Sequence, residues 1–128
     1  MKSLHFLLQR SISLFLSLVL IFLPLSANPI VIDVNSSNTS LDKAKNGVDI
    51  LNVATPDKNG ISNNLYLEFN VKESGLIFNN STSALTPSVL GEIITANPNL
   101  INPASFILNQ VTSTSPSLLL GIMEIAGS

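Results

Sequence analysis

The chain has no cysteine and no tryptophan, and its one histidine, His5, falls among the first ten residues together with its one arginine, Arg10. These absences exclude chemistry before any motif is sought. Thiolate nucleophiles, cysteine-held zinc, histidine acid–base pairs and Ser-His-Asp triads all need side chains that are missing. A glycosidase-like carboxylate pair or a Ser-Lys hydrolase remains chemically open, but no spacing of Glu68, Glu92 and Glu124 or of the lysines points to either. The expectation is a non-enzyme without metal or cofactor. Charge is scarce as well, at 11% of residues. After residue 27 four lysines stand against eight carboxylates, a net charge of −4. A basic face able to neutralise phosphates is therefore lacking, which excludes nucleic acid and anionic membrane as partners.

Apolar residues are 45% of the chain, yet 17 of the roughly 58 lie in the first 27 positions. The remaining 101 residues hold 41, an ordinary globular fraction. The leading segment carries Lys2 and Arg10, then the apolar run Ile12–Leu23 broken only by serines, then Pro24 and the small-residue stretch Leu25-Ser26-Ala27. A positive start, an apolar stretch of 12 residues and an alanine at the cut describe a secretory signal peptide over 1–27, cleaved between Ala27 and Asn28. A membrane anchor would need about 20 apolar residues to cross the hydrocarbon. From Ser11 to the proline there are only 13. An exported domain of this size without disulfides must hold together by other means, and backbone pairing in a stack of strands is one.

The rest of the chain reads as short strands between Asn/Gly turns. Ile30–Val34 is rich in β-branched residues, and Val48–Ala54 alternates so that Val48, Ile50 and, after a slip, Val53 point inward. Leu65–Val71 is the clearest alternation and predicts Leu65, Leu67, Phe69 and Val71 on the buried face. Ser105–Val111 and Leu118–Ile125 are further strand candidates, and Phe69, Phe78 and Phe106 are expected as stacked core residues. Turn signals stand between them at Asn46-Gly47, Asn59-Gly60, Ser74-Gly75, Asn97-Pro98 and Asn102-Pro103. Ser81–Pro87 reads as a polar loop. Ser88–Ala96 is the one stretch that predicts a short helix, capped by Ser88, although Gly91 and the β-branched Ile93, Ile94 and Thr95 argue against it.

Asparagine is the compositional outlier, with 15 among the 101 residues after position 27, and serine plus threonine add 20. Asn-rich turns between closely spaced strands suit a β-solenoid, whose corner side chains stack in ladders. No fixed period is present, so residue pattern alone leaves a solenoid and a β-sandwich equally open. The sequons at Asn35, Asn38, Asn79 and Asn80 are what such a composition yields by chance.

Four stretches, in order, carry a family resemblance: Asn46–Pro56 followed by Asn59–Asn64; Leu65–Val71 with Ser74–Ser81; Leu90–Leu100; and Ile107–Ser113 with Ser117–Gly121 and Glu124–Gly127. From about Ile30 to the end, the chain resembles the amino-terminal secretion domain of filamentous haemagglutinin-type exoproteins, the cargo of two-partner secretion. Members carry an NPNL segment and an N-E-V-T-like segment. Here these are Asn97, Pro98, Asn99, Leu100 and Asn109, Gln110, Val111, Thr112, with Gln110 in place of an acidic residue and Ser113 in place of a common glycine.

The resemblance implies an all-β fold, a right-handed parallel β-helix with an amino-terminal cap, incomplete at the C-terminus, with 28–128 forming a partial secretion domain. It implies recognition by a cognate outer-membrane β-barrel transporter through its periplasmic domains. It also implies secretion to the medium or the cell surface of a Gram-negative bacterium. Adhesion to a host or neighbouring cell would then belong to a longer parent protein. The eight named residues are the candidates for transporter recognition, against the plainer expectation that Asn97–Leu100 is a type I turn and that Asn109 satisfies backbone groups at a corner. Two other functions stay open at this point, a self-contained exported β-rich binding protein and an exported carboxylate-dependent hydrolase.

Overall fold

A computed structural model of the chain describes residues 29–127, so the signal peptide expected over 1–27 and its cut at Ala27–Asn28 lie outside the described residues. The described residues form nine strands and no helix: β1 Val31–Ile32, β2 Ser40–Lys43, β3 Asp49–Asn52, β4 Ile61–Glu68, β5 Leu76–Asn79, β6 Thr86–Ser88, β7 Glu92–Ile94, β8 Phe106–Val111 and β9 Met123–Ala126. They make a four-stranded sheet in the order β2-β3-β5-β9, a three-stranded sheet β1-β4-β8, and the hairpin β6-β7.

Three of the six strand pairs are parallel. β3 pairs with β5 and β5 with β9, so that Leu51, Phe78 and Ile125 stand in one row and Asn52, Asn79 and Ala126 in the next. β8 lies parallel to β4, with Asn64 opposite Asn109 and Tyr66 opposite Val111. β1 and β2, the first strands of the two sheets, run antiparallel to their neighbours, as do the two strands of the β6-β7 hairpin. Parallel strands need long crossovers and are buried on both faces, which is why β5, LIFN, has no exposed residue and β3, DILN, has none either. β2, SLDK, is the opposite case. It is a sheet edge with Asp42 and Lys43 exposed, and charge on an edge discourages further strand addition.

Two apolar clusters fill the interior. One joins Ile30, Leu51, Val53, Tyr66, Phe69, Val71, Leu76 and Phe78; the other joins Ala44, Val48, Ile50, Ile77, Ile94 and Ala126. The inward placing of Val48, Ile50 and Val53 expected from the alternation is what the fold shows. The Phe69 and Phe78 rings stack at 6.2 Å, and Tyr66 tilts against Phe69 at 4.9 Å. Phe106 is no part of this stack; its side chain is 70% exposed at the start of β8.

The clearest alternation in the sequence is inverted over its first half. In β4 it is Ser62, Asn64 and Tyr66 that point inward, while Leu67 is 42% exposed and Leu65 half-buried. Only beyond the strand do Phe69 and Val71 turn into the core. The reason is hydrogen bonding. Asn64 and Ser62 are fully buried because the β3–β4 connection offers them backbone partners: the Ser62 hydroxyl donates to Ala54 O (2.6 Å) and the Asn64 Oδ1 accepts the Ala54 N–H (2.9 Å). Polar groups satisfied in this way can be buried at little cost. Among the described residues no buried side-chain nitrogen or oxygen lacks a partner.

The short helix expected over Ser88–Ala96 is instead the β6-β7 hairpin, in which Thr86 pairs with Ile94 and Ser88 with Glu92. The β-branched Ile93 and Ile94 favour strand over helix, and Thr86 and Ser88 are buried where a polar loop was expected to end. The hairpin also holds the one non-glycine residue at positive φ among those described, Glu92 at 66°. An L residue in that region costs about 1–2 kcal/mol relative to right-handed conformations. Glu92→Gly is therefore expected to raise stability by about 0.5–1 kcal/mol after glycine's own entropy loss. A urea titration checks this, and a lowered midpoint refutes it.

Candidate functional site

Asn97–Leu100 is a turn at the end of the four-stranded sheet. The Leu100 N–H donates to Asn97 O (3.2 Å) with Pro98 at the second position, where its fixed φ suits a type I turn. Asn97 itself is 2% exposed. Its Nδ2 donates to Val53 O (2.9 Å) and Asn79 O (2.8 Å), its backbone N–H donates to Ser81 O (2.8 Å), and its Oδ1 accepts the Asn99 N–H (2.8 Å). One amide thus ties together the segments that leave β3 and β5, and no part of it is offered to solvent.

Asn99 extends the same clasp outward. Its Nδ2 donates to Asn38 O (2.7 Å), and its carbonyl accepts the Thr55 hydroxyl (2.7 Å). Asn38 and Thr55 hold each other in turn, Asn38 Nδ2 donating to Thr55 Oγ1 (2.8 Å) and Thr55 N–H to Asn38 Oδ1 (2.9 Å). Leu100 packs half-buried on the aromatic cluster, and Pro98 alone of the four is exposed.

The second segment lies in the other sheet. Asn109, Gln110 and Val111 close β8 beside Asn64, Leu65 and Tyr66 of β4. Asn109 accepts the Tyr66 phenol at 2.7 Å, so its amide oxygen finishes the hydrogen bonding of a buried ring whose burial pushes the phenol pKa well up. Val111 packs on the same aromatic cluster as Leu100, so the two segments share one core. Thr112 reaches back to the start of the fold: its hydroxyl donates to the Asp33 carboxylate at 2.5 Å and its N–H to Tyr66 O at 2.8 Å. That Thr112 bond, helped by the Asn35 N–H and side chain, holds the Asp33 carboxyl below its ordinary pKa. Gln110, at the departure from the family pattern, is exposed.

The surface left by these segments is therefore composite. Pro98, Asn109, Gln110 and Thr112 face water, Asn99, Leu100 and Val111 do so in part, and Asn97 does not. Two residues that sequence reasoning passed over organise the region from beneath, Tyr66 and Asn64. The signal that could have found them is their shared parity with Ser62 in a strand whose Leu65 and Leu67 alternate the other way.

Elsewhere the chemistry is sparse. Lys43 and Lys72 both approach Asp49, at 2.8 and 3.7 Å, beside an open depression of about 510 Å³ that Leu41 and Asp42 also line. These lysines are well exposed, so the pairs contribute about 0–1 kcal/mol each. Glu68, Glu92 and Glu124 sit on β4, β7 and β9, and among the described residues no hydrogen bond joins any two of them. Among the same residues no three His, Cys, Asp or Glu side chains gather where they could hold a metal ion.

Comparison with known proteins places this architecture. Residues 30–128 match the family model described as the TPS secretion domain. The chain is 44% identical over 121 residues to the 16S rRNA endonuclease CdiA of Enterobacter cloacae, covering 93% of the chain and 4% of that protein. It is 41% identical over 130 residues to a hemolysin of Proteus mirabilis, covering 99% of the chain and 8% of the relative. To the filamentous hemagglutinin of Bordetella pertussis it is 42% identical over 96 residues, 73% of the chain and 3% of the relative. The crystal structure of the filamentous hemagglutinin secretion domain superposes with a TM-score of 0.68 at 38% identity, covering 77% of this chain and 32% of that one. The chain thus spans a small fraction of the length of each relative. By family match, by sequence and by fold, it belongs to the TPS secretion domains, the targeting modules of filamentous haemagglutinin-type two-partner secretion exoproteins.

Proposed function

We propose that this chain is the address of a larger exported protein: residues 28–128 are recognised by a cognate outer-membrane β-barrel transporter through that transporter's periplasmic domains, after a signal peptide over 1–27 has been removed. The observation that carries this reading is the match of residues 30–128 to the secretion-domain family. The parallel register supports a finer reading of the fold as the capped start of a right-handed parallel β-helix, with β1 and β2 as the cap and β3-β5-β9 and β4-β8 as successive turns. A module of this kind needs no catalytic group, and the shortage of histidine, cysteine and arginine agrees with that. Adhesion, haemolysis or toxicity toward host or neighbouring cells would belong to the parent protein and not to these residues.

Recognition is assigned to the exposed part of the two segments, Pro98, Asn109, Gln110 and Thr112, with Asn99, Leu100 and Val111 as their framework and Asn97 as a buried tie. An extended segment of this sort can add to a receptor sheet edge through main-chain hydrogen bonds, with side chains such as Gln110 supplying selectivity. The test is an export assay with and without the transporter. Gln110→Lys is expected to change unfolding free energy by less than about 0.5 kcal/mol while lowering export several-fold. Export that proceeds equally well without the transporter would overturn the targeting role; undiminished export of Gln110→Lys would remove Gln110 from the contact surface.

A further inference from the structure

The turn between β6 and β7 gathers its polar groups onto one point. The Val89 N–H (2.8 Å), the Leu90 N–H (3.0 Å) and the Ser88 hydroxyl (2.9 Å) all donate to the carboxylate of Glu124, which arrives from β9. The Ser88 oxygen in turn accepts the Gly91 N–H at 2.9 Å, which fixes the hydroxyl's direction. Successive backbone N–H groups with a flanking hydroxyl make a concave anion receptor, and hydrogen bonds to an ionised acceptor are roughly twice as strong as neutral ones. We propose that this turn is a carboxylate-binding nest filled from within the chain by Glu124, and that proton uptake by Glu124 unlatches the hairpin tip from β9.

The rest of the hairpin shows why the tip depends on this contact. Its base is anchored by Ile94, buried with Ile50, Ile77 and Ala126. At the tip Val89 is exposed, Leu90 packs half-buried against the same cluster, and the Asn46 Nδ2 donates to Leu90 O (2.7 Å). Apolar packing therefore holds the base and, through the Leu90 side chain, one side of the turn, while polar contacts hold the turn's backbone N–H groups. The strands packed on β9 are β5 and β6, and neither carries an ionisable side chain. On the segments that carry the turn's other contacts, Glu92 in β7 and Lys45 beside Asn46 are charged; both are exposed, and the two ion pairs among the described residues are both made by Asp49. Burial alone would raise the Glu124 pKa, but the Leu90 and Val89 amides and the Ser88 hydroxyl outweigh it and hold the carboxyl below its ordinary value. With the folded value depressed, the latch is fully closed above the pKa of an unfolded glutamate and opens as pH falls through the lower, folded value.

The test is an NMR titration of the whole 128-residue chain. The Val89 and Leu90 amide signals are expected to move together, with one midpoint below that of a glutamate in an unstructured peptide. Amide exchange at 89–91 is expected to rise at least tenfold relative to β3 across the same midpoint. In Glu124→Ala the two signals should already sit near their low-pH positions at neutral pH, and added acetate should draw them back saturably. Signals that titrate with the peptide midpoint, or an alanine variant whose nest ignores acetate, overturn the proposal. Should Glu124→Ala fail to fold, Ser88→Ala decides: loss of one donor should move the wild-type midpoint upward, and an unchanged midpoint refutes the latch.

Discussion

Asn64→Ala is expected to lower the unfolding free energy by about 3–4 kcal/mol, a large share of the ~5–15 kcal/mol typical of a domain. The residue is fully buried, and its amide serves both sides of the fold. Its Oδ1 accepts the Thr39 hydroxyl (2.7 Å) and the Ala54 N–H (2.9 Å), and its Nδ2 donates to the Ser62 hydroxyl (3.1 Å) and, across to β8, to Leu108 O (3.4 Å). Alanine removes every one of these partners at a site closed to water. Each buried group left unpaired costs about 1–3 kcal/mol, and the vacated volume adds to that. Leucine restores volume without restoring partners and should be nearly as damaging. Equilibrium unfolding in urea measures the effect, and a loss under 1 kcal/mol would mean that Asn64 is not the cross-brace described.

Asn97→Ala should cost about 3 kcal/mol for related reasons, with Asn79 O losing its side-chain donor and Val53 O keeping only the longer bond from Asn99 Nδ2 (3.3 Å). Its functional consequence is more informative than its size. If Asn97 acts by holding the turn, export should fall only as far as the folded population falls, and Pro98→Ala, at an exposed position, should change stability by less than about 1 kcal/mol. Asn97→Asp separates the roles further. It keeps the acceptor for the Asn99 N–H and removes both donors, so it should be as unstable as alanine or more so because of its buried charge. Parallel measurement of urea midpoint and exported fraction decides the matter. Full stability with lost export would transfer Asn97 from architecture to recognition.

These two asparagines mark the boundary of what the sequence makes legible. Strand existence was readable where β-branched and aromatic residues cluster, as in β3 and β8, whereas β5, buried on both faces, was not singled out as a strand although its run LIFN is apolar. The face of β4 was not, since a rule that places apolar residues inside sends Leu65 and Leu67 inward and Asn64 out. The fold does the reverse because the chain leaving β3 supplies backbone partners that no local pattern announces. β2 was missed for the opposite reason: an edge strand of SLDK needs no apolar face. Over 88–96 the capping residue Ser88 misled, while Ile93, Ile94 and Thr95 already carried the strand preference. The turn at Asn97–Leu100 was legible from Asn and Pro alone, but the burial of Asn97 depends on Val53 and Asn79, carbonyls distant in sequence. Glu124 is the same case, a carboxylate whose role is set by a hairpin turn more than thirty residues earlier.

In both sheets the spatial succession of strands, β2-β3-β5-β9 and β1-β4-β8, follows their order along the chain. A polypeptide delivered amino-terminus first would find, at each new strand, that the partner it needs has already been made. No segment has to be held in reserve for residues still to come, and the long-range pairings that ordinarily slow β-rich domains become a series of additions to a finished edge. With charge on β2 discouraging growth at the opposite side, such assembly would advance in one direction only.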